Sequence, residues 1–141
     1  MPKDKYITYV EVPGTTEKFA PLVDDDRAIV SYFGEHSGAT SETDIISAFD
    51  VPKGFEYVLK EITIASEQSA WVYIYKSEDG GTTWEKIAAL YLPSPGTVSI
   101  TLKNGVKVTG GDNVKMKLAF KQSTAGAIAV TITLKKVEAV S

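Results

Sequence analysis

Between residues 97 and 135 the chain alternates apolar and polar side chains almost without a break. Val98, Ile100 and Leu102 are separated by Ser99 and Thr101, and Val106 and Val108 follow in step. Val114, Met116, Leu118 and Phe120 alternate with Lys115, Lys117, Ala119 and Lys121, then Ile128, Val130, Ile132 and Leu134 with Ala129, Thr131, Thr133 and Lys135. A period of two sends successive side chains to opposite faces, so each run predicts a half-buried strand. Asn104-Gly105 predicts a type I′ hairpin turn, whose two central positions both need positive φ. Gly110-Gly111-Asp112 and Ser123-Thr124-Ala125-Gly126 predict further turns, the second folding the last two strands into one long hairpin.

Upstream, Asp44–Asp50 predicts a short strand that ends at Val51-Pro52-Lys53-Gly54, and Phe55–Ala65 a longer one. In the longer strand Phe55, Tyr57 and Leu59 share one parity, whereas Ile62 and Ile64 take the other. A β-bulge near Lys60-Glu61 accounts for the change of phase. Ala70–Ser77 and Thr83–Leu92 predict another hairpin, and Pro93 and Pro95 close it. That makes seven or eight strands between residues 44 and 137, with turn signals at sandwich spacing and no helical period. The predicted fold is all-β: an antiparallel two-sheet sandwich of jelly-roll type, with an immunoglobulin-like sandwich as the alternative.

Residues 1–43 read differently, as an N-terminal extended arm with one or two short strands, at Tyr6–Val12 and Arg27–Phe33; the sandwich domain takes 44–141. The polar run Gly34–Thr43 reads as loop. Tyr6, Ile7, Tyr9, Val10, Phe19, Leu22, Ile29, Val30, Tyr32 and Phe33 call for burial, so the arm is expected to lie over its own domain or a neighbour. Residues 1–50 carry four cations against ten acids, a net of −6, and residues 51–141 carry eleven Lys against eight acids, a net of +3. Opposite signs allow one part to dock on the other, within a chain or between chains.

Composition narrows the chemistry. With 141 residues, 43% of them hydrophobic, the chain can build a core without staples, and with no cysteine it has no disulfide or thiolate. A net charge of −3 argues against nucleic acid as a partner. No apolar run reaches the length of a membrane span, and no apolar h-region follows the opening residues, so neither a membrane anchor nor a secretory signal is expected. His36 is the only histidine. It sits in an expected exposed loop, where it can complete neither a zinc set nor a supported catalytic triad. Asp24, Asp25 and Asp26 lack the spacing of a calcium loop and read as an acidic surface or a partner for lysines. No catalytic residue, metal or cofactor is expected, and the chain is read as a non-enzyme.

Two local features stand out. Ser77-Glu78-Asp79-Gly80-Gly81-Thr82-Thr83-Trp84 resembles the Asp-box of sialidase-like propellers, matching at Ser77, Asp79, Gly81, Thr83 and Trp84. In those families the box is a folded turn and not the catalytic site, which is the role the resemblance implies here. Trp71, Tyr73 and Tyr75 share one face of a strand whose other face is Val72 and Ile74. Both faces are apolar, so the aromatic one needs internal cover, a protein partner or a sugar. Lys115, Lys117 and Lys121 give the strand of Val114, Met116, Leu118 and Phe120 a basic face, which reads as a partner interface or as protection against edge-to-edge pairing.

The order of these elements resembles small phage virion proteins. Phe49-Asp50-Val51-Pro52-Lys53-Gly54-Phe55-Glu56-Tyr57-Val58-Leu59 is similar to the strand, Pro-x-Gly turn and long strand that open a jelly roll there. The similarity runs on through Val72–Tyr75, the Asp-Gly-Gly hairpin, Gly110-Gly111-Asp112-Asn113-Val114 and the last strand. It is one of pattern and order, and it points to the capsid decoration (cement) proteins of tailed phages. Such a resemblance implies a structural virion protein, made in the host cytoplasm and placed on the capsid surface. It further implies a homo-oligomer, a trimer, that binds the major capsid protein and stabilises neighbouring subunits. The competing expectation is a carbohydrate-binding module using Trp71, Tyr73 and Tyr75 as its platform.

Overall fold

The alternation becomes strand wherever it was read. The computed structural model describes Val10–Glu11, Lys18–Phe19 and residues 29–139. Val10–Glu11 (β1) pairs with Lys18–Phe19 (β2). The others are Ile29–His36 (β3), Thr43–Asp50 (β4), Phe55–Ser66 (β5), Ala70–Ser77 (β6), Glu85–Leu92 (β7), Gly96–Thr109 (β8), Lys115–Gln122 (β9) and Ile128–Glu138 (β10). Among the described residues there is no helix.

Eight strands form two antiparallel four-stranded sheets, ordered β3-β10-β5-β8 and β4-β9-β6-β7. Of the connections from β3 to β10, only β6–β7 stays within one sheet; every other one crosses to the opposite sheet. That interleaving is the jelly-roll order, and it sets aside the immunoglobulin-like alternative. The core lies between the sheets. Ile62, Ile64, Val130 and Ile132 from one meet Val72, Ile74, Leu118 and Phe120 from the other, all fully buried. Fully burying an aliphatic side chain contributes about 1.5–3 kcal/mol, so these inner faces hold the fold together.

Three sequence signals find a different use. Asn104-Gly105 does not reverse the chain. Gly105 has the expected positive φ of 73°, but residues 102–105 form a wide bulge opposite Lys60, and β8 pairs with β5 on both sides of it. A Cβ at Gly105 would lie 2.4 Å from Val58 Cγ1, so glycine is needed for space as well as for φ. The bulge expected near Lys60-Glu61 is present, and it shifts the register of β5 against both β10 and β8.

β9 and β10 do not form a hairpin. Each is an inner strand of a different sheet, and residues 123–127 cross between them. Buried Gln122 fastens the crossing: its amide donates to Gly126 O and Ser66 Oγ, and its carbonyl accepts from Gly126 N and Ala39 N. Period-two patterning fixes the face of a strand, and says nothing about which sheet receives it.

Residues 34–36, read as loop, continue β3, which pairs with β10 over eight residues. A segment grouped with the arm by its pattern is therefore a strand of one sandwich sheet. Gly34 permits it, because a Cβ there would stand 1.9 Å from Ile45 O on β4. His36 ends that strand and does not sit in an open loop. Its ring lies 5.1 Å from Phe120, and its Nδ1 accepts a bond from Gly38 N. Asp24, Asp25, Asp26 and the expected strand starts at Tyr6 and Arg27 lie outside the described residues.

Candidate functional site

Strand register brings most of the singled-out residues onto one surface, the outer face of β4-β9-β6-β7. Trp71 faces Tyr91 on β7 and Lys121 on β9; Tyr73 faces Ala89 and Ala119; Tyr75 faces Lys86 and Lys117. Two alanines beside Tyr73 leave its ring in a furrow. Lys86 Nζ closes that furrow from above, 3.8 Å from the ring centre, and Tyr73 is only 9% exposed. The three aromatics thus do not present one open platform. Trp71 is 39% exposed and Tyr75 is half-buried.

The open aromatic surface has another composition. Trp71 stacks on Tyr73 at 6.1 Å and meets Tyr91 at 4.7 Å, tilted by 30°. Tyr91, 51% exposed, was missed by the sequence reading. Its signal was there in the β6–β7 pairing, which sets position 91 opposite 71, but that depends on the exact register of a hairpin whose bulge at Ile87 shifts it.

The lysines are mostly committed. Lys115 Nζ is 2.6 Å from Asp50 Oδ1, and Lys117 Nζ is 3.0 Å from Asp44 Oδ1, both acids on neighbouring β4. Lys117 also lies over the Trp84 and Tyr75 rings, at 4.7 and 5.4 Å. Glu42 spans the face: one oxygen accepts from the Tyr75 hydroxyl and the other is 3.6 Å from Lys86 Nζ. Burial, with that bond to Glu42, pushes the Tyr75 hydroxyl well above the usual tyrosine range. Lys121 differs: it is exposed, with no carboxylate within ion-pair distance among the described residues.

The Asp-box-like segment is a self-bonded turn. Asp79 Oδ1 accepts from Ser77 Oγ at 2.7 Å, Thr83 N at 2.8 Å and Thr82 N at 3.1 Å, while Ser77 Oγ accepts from Gly81 N at 2.9 Å. Gly80 and Gly81 supply the positive φ values, 78° and 101°, that the reversal needs. Trp84 covers the turn, close enough that a Cβ at Gly81 would touch its ring at 3.5 Å. The backbone bond from Thr83 and the bond from Ser77 hold the Asp79 carboxyl down at about 2. Among the described residues no three His, Cys, Asp or Glu side chains are grouped to hold a metal ion, and no helix is long and apolar enough to cross a membrane.

No family model matches this chain, and no curated protein does. Solved structures do. A Bacillus endospore appendage, described as a novel family of disulfide-linked pili, aligns over 79% of this chain and 88% of its own at TM-score 0.50 and 10% identity. The module TmCBM61, in complex with beta-1,4-galactotriose, aligns over 83% and 86% at TM-score 0.40 and 9% identity. Infectious bursal disease virus, Gx strain, aligns over 98% of this chain and 43% of its own, at TM-score 0.40 and 11% identity. At 10% identity the likeness to the appendage is one of fold, an all-β sandwich.

Proposed function

We propose that this chain is a structural virion protein, a capsid decoration protein that oligomerises on a phage head and binds the major capsid protein, with no catalytic role. One observation carries the assembly part: among the described residues no strand pairs with the outer edge of β7. The other three sheet edges are guarded. β4 breaks register twice and carries Asp44 and Asp50; β8 has its wide bulge, with Lys103 inside it and Lys107 just beyond; β3 carries Gly34 and Glu35. β7 has one bulge, at Ile87, and from there to Leu92 it carries no charge, Pro or Gly. Its one lysine, Lys86, is drawn onto Tyr73 and Glu42 instead. An unguarded apolar edge offers free backbone donors and acceptors to another strand.

A closed ring of three, the symmetry the resemblance implies, needs two different complementary patches on each copy. β7 lies at one end of its sheet, and β3, with exposed Ile29 and 61%-exposed Phe33, at an end of the other. A chain without cysteine has no access to the disulfide linkage of the pili. Mass in solution tests the proposal. The expected result is a trimer that dissociates when Ala89, exposed on β7, becomes Lys. A monomer at all concentrations, with no binding to phage heads, contradicts it.

A further inference from the structure

We infer that the shallow groove beside Trp71 and Tyr91 is a binding site for an acidic sugar, a pyranose carrying a carboxylate. The groove holds about 200 Å³ and is lined by Ser69, Trp71, Tyr91, Lys121, Gln122 and Ser123. That is below the usual range for an extended ligand and suits a single ring.

Three kinds of group converge there. Trp71 and Tyr91 are exposed large hydrophobics set 4.7 Å apart. Their ring faces are electron-rich, and the weakly positive C–H groups of a pyranose stack on such a surface. Ser69 and Ser123 hydroxyls stand 2.7 Å apart on the rim, each with further bonding capacity for ring hydroxyls. Lys121 supplies the charge. The other three lysines on this face, 86, 115 and 117, are neutralised by Glu42, Asp50 and Asp44. The cation with no such carboxylate is directly across from Trp71 in the sheet register. A lysine with no carboxylate at ion-pair distance among the described residues, beside two exposed aromatic rings, matches a ligand with a flat C–H face and one negative charge.

The site is rigid enough to be preorganised. Its floor is Gln122, 2% exposed, held by four hydrogen bonds at 2.8–3.2 Å. The inference is independent of the assembly reading. Pairing along β7 extends the sheet in its own plane and leaves this outer face open.

Isothermal titration of the full chain with an oligogalacturonide, and with the same oligosaccharide methyl-esterified, tests it. The expected result is binding of the acid form, weakened at least about tenfold for the ester and for Lys121→Gln, as loss of a charged hydrogen bond requires. Trp71→Ala is expected to abolish it, and Ser99→Ala, on the other sheet, to leave it unchanged. No heat at millimolar ligand, equal affinity for acid and ester, or full affinity in Lys121→Gln overturns the proposal. A negative result here with a trimer by mass leaves the assembly reading standing, so the two fail separately.

Discussion

The two sheets share one core but present opposite surfaces to solvent. Behind β3-β10-β5-β8 the cross-strand rows read Phe33-Thr131-Thr63-Ser99 and Ser31-Thr133-Glu61-Thr101. Six of these eight are short hydroxylated side chains, joined in one case by a 3.0 Å bond between Thr63 and Ser99, and the exceptions are Glu61 and the exposed Phe33 at the β3 edge. Behind β4-β9-β6-β7 the rows carry aromatic rings, lysines and the carboxylates that answer them. β-Branched threonine suits a pleated, half-exposed surface and asks for nothing further. Trp71, Tyr91 and a lysine with no carboxylate beside it among the described residues are not what a solvated surface requires. The jelly roll dictates the inner faces of both sheets and leaves the outer faces free, so the difference between them comes from demands other than the fold.

The largest expected effect lies beneath both faces. Phe120→Ala removes a fully buried ring, and denaturant unfolding should show a loss of about 3–5 kcal/mol. A smaller value would mean that the sheets close over the cavity. Next comes the contrast itself. Tyr73→Ala, on the aromatic outer face, should cost about 2–3 kcal/mol because Lys86 and Trp71 cover the ring. Thr131→Ala, at an exposed position of the other face, should stay within about 0.5 kcal/mol. Equal losses would erase the distinction between the faces.

Gly105→Ala tests the bulge that guards the β8 edge. Strained φ and the approach to Val58 should together cost about 1–3 kcal/mol in thermal or chemical unfolding.

The Asp79 turn has a pH signature. Its folded pKa is held below the unfolded value near 4, so its stabilisation is present above about pH 4 and is lost as pH falls toward 2. Asp79→Asn should therefore lower the melting temperature at neutral pH, and the two curves should converge near pH 2. Parallel curves would mean that the turn bonds do not depend on the charge. A small effect is also expected for Lys117→Met. Its bridge to Asp44 is partly exposed, so about 0.2–1 kcal/mol, shrinking with salt, is the scale.

Much of this was legible in the chain. Strand positions, the bulge at Lys60 and the Asp79 turn follow from local alternation and from residues with strong backbone preferences. What stayed hidden is non-local. Asn104-Gly105 states a φ requirement, and whether that φ makes a turn or a bulge depends on β5 lying alongside. The face of Trp71 was clear, but cover of Tyr73 by Lys86, and the pairing of Lys115 and Lys117 by β4, come from strands distant in sequence. The open edge of β7 could be recognised only once the strand order was known.

Hydrogen exchange at rising protein concentration tests the account most directly. Amides of β7, from Glu85 to Leu92, should slow as copies associate, while those of the guarded β8 edge keep their rates. Exchange on β7 that is independent of concentration, or slowing confined to β8, would contradict the assignment of the β7 side as the face that assembles.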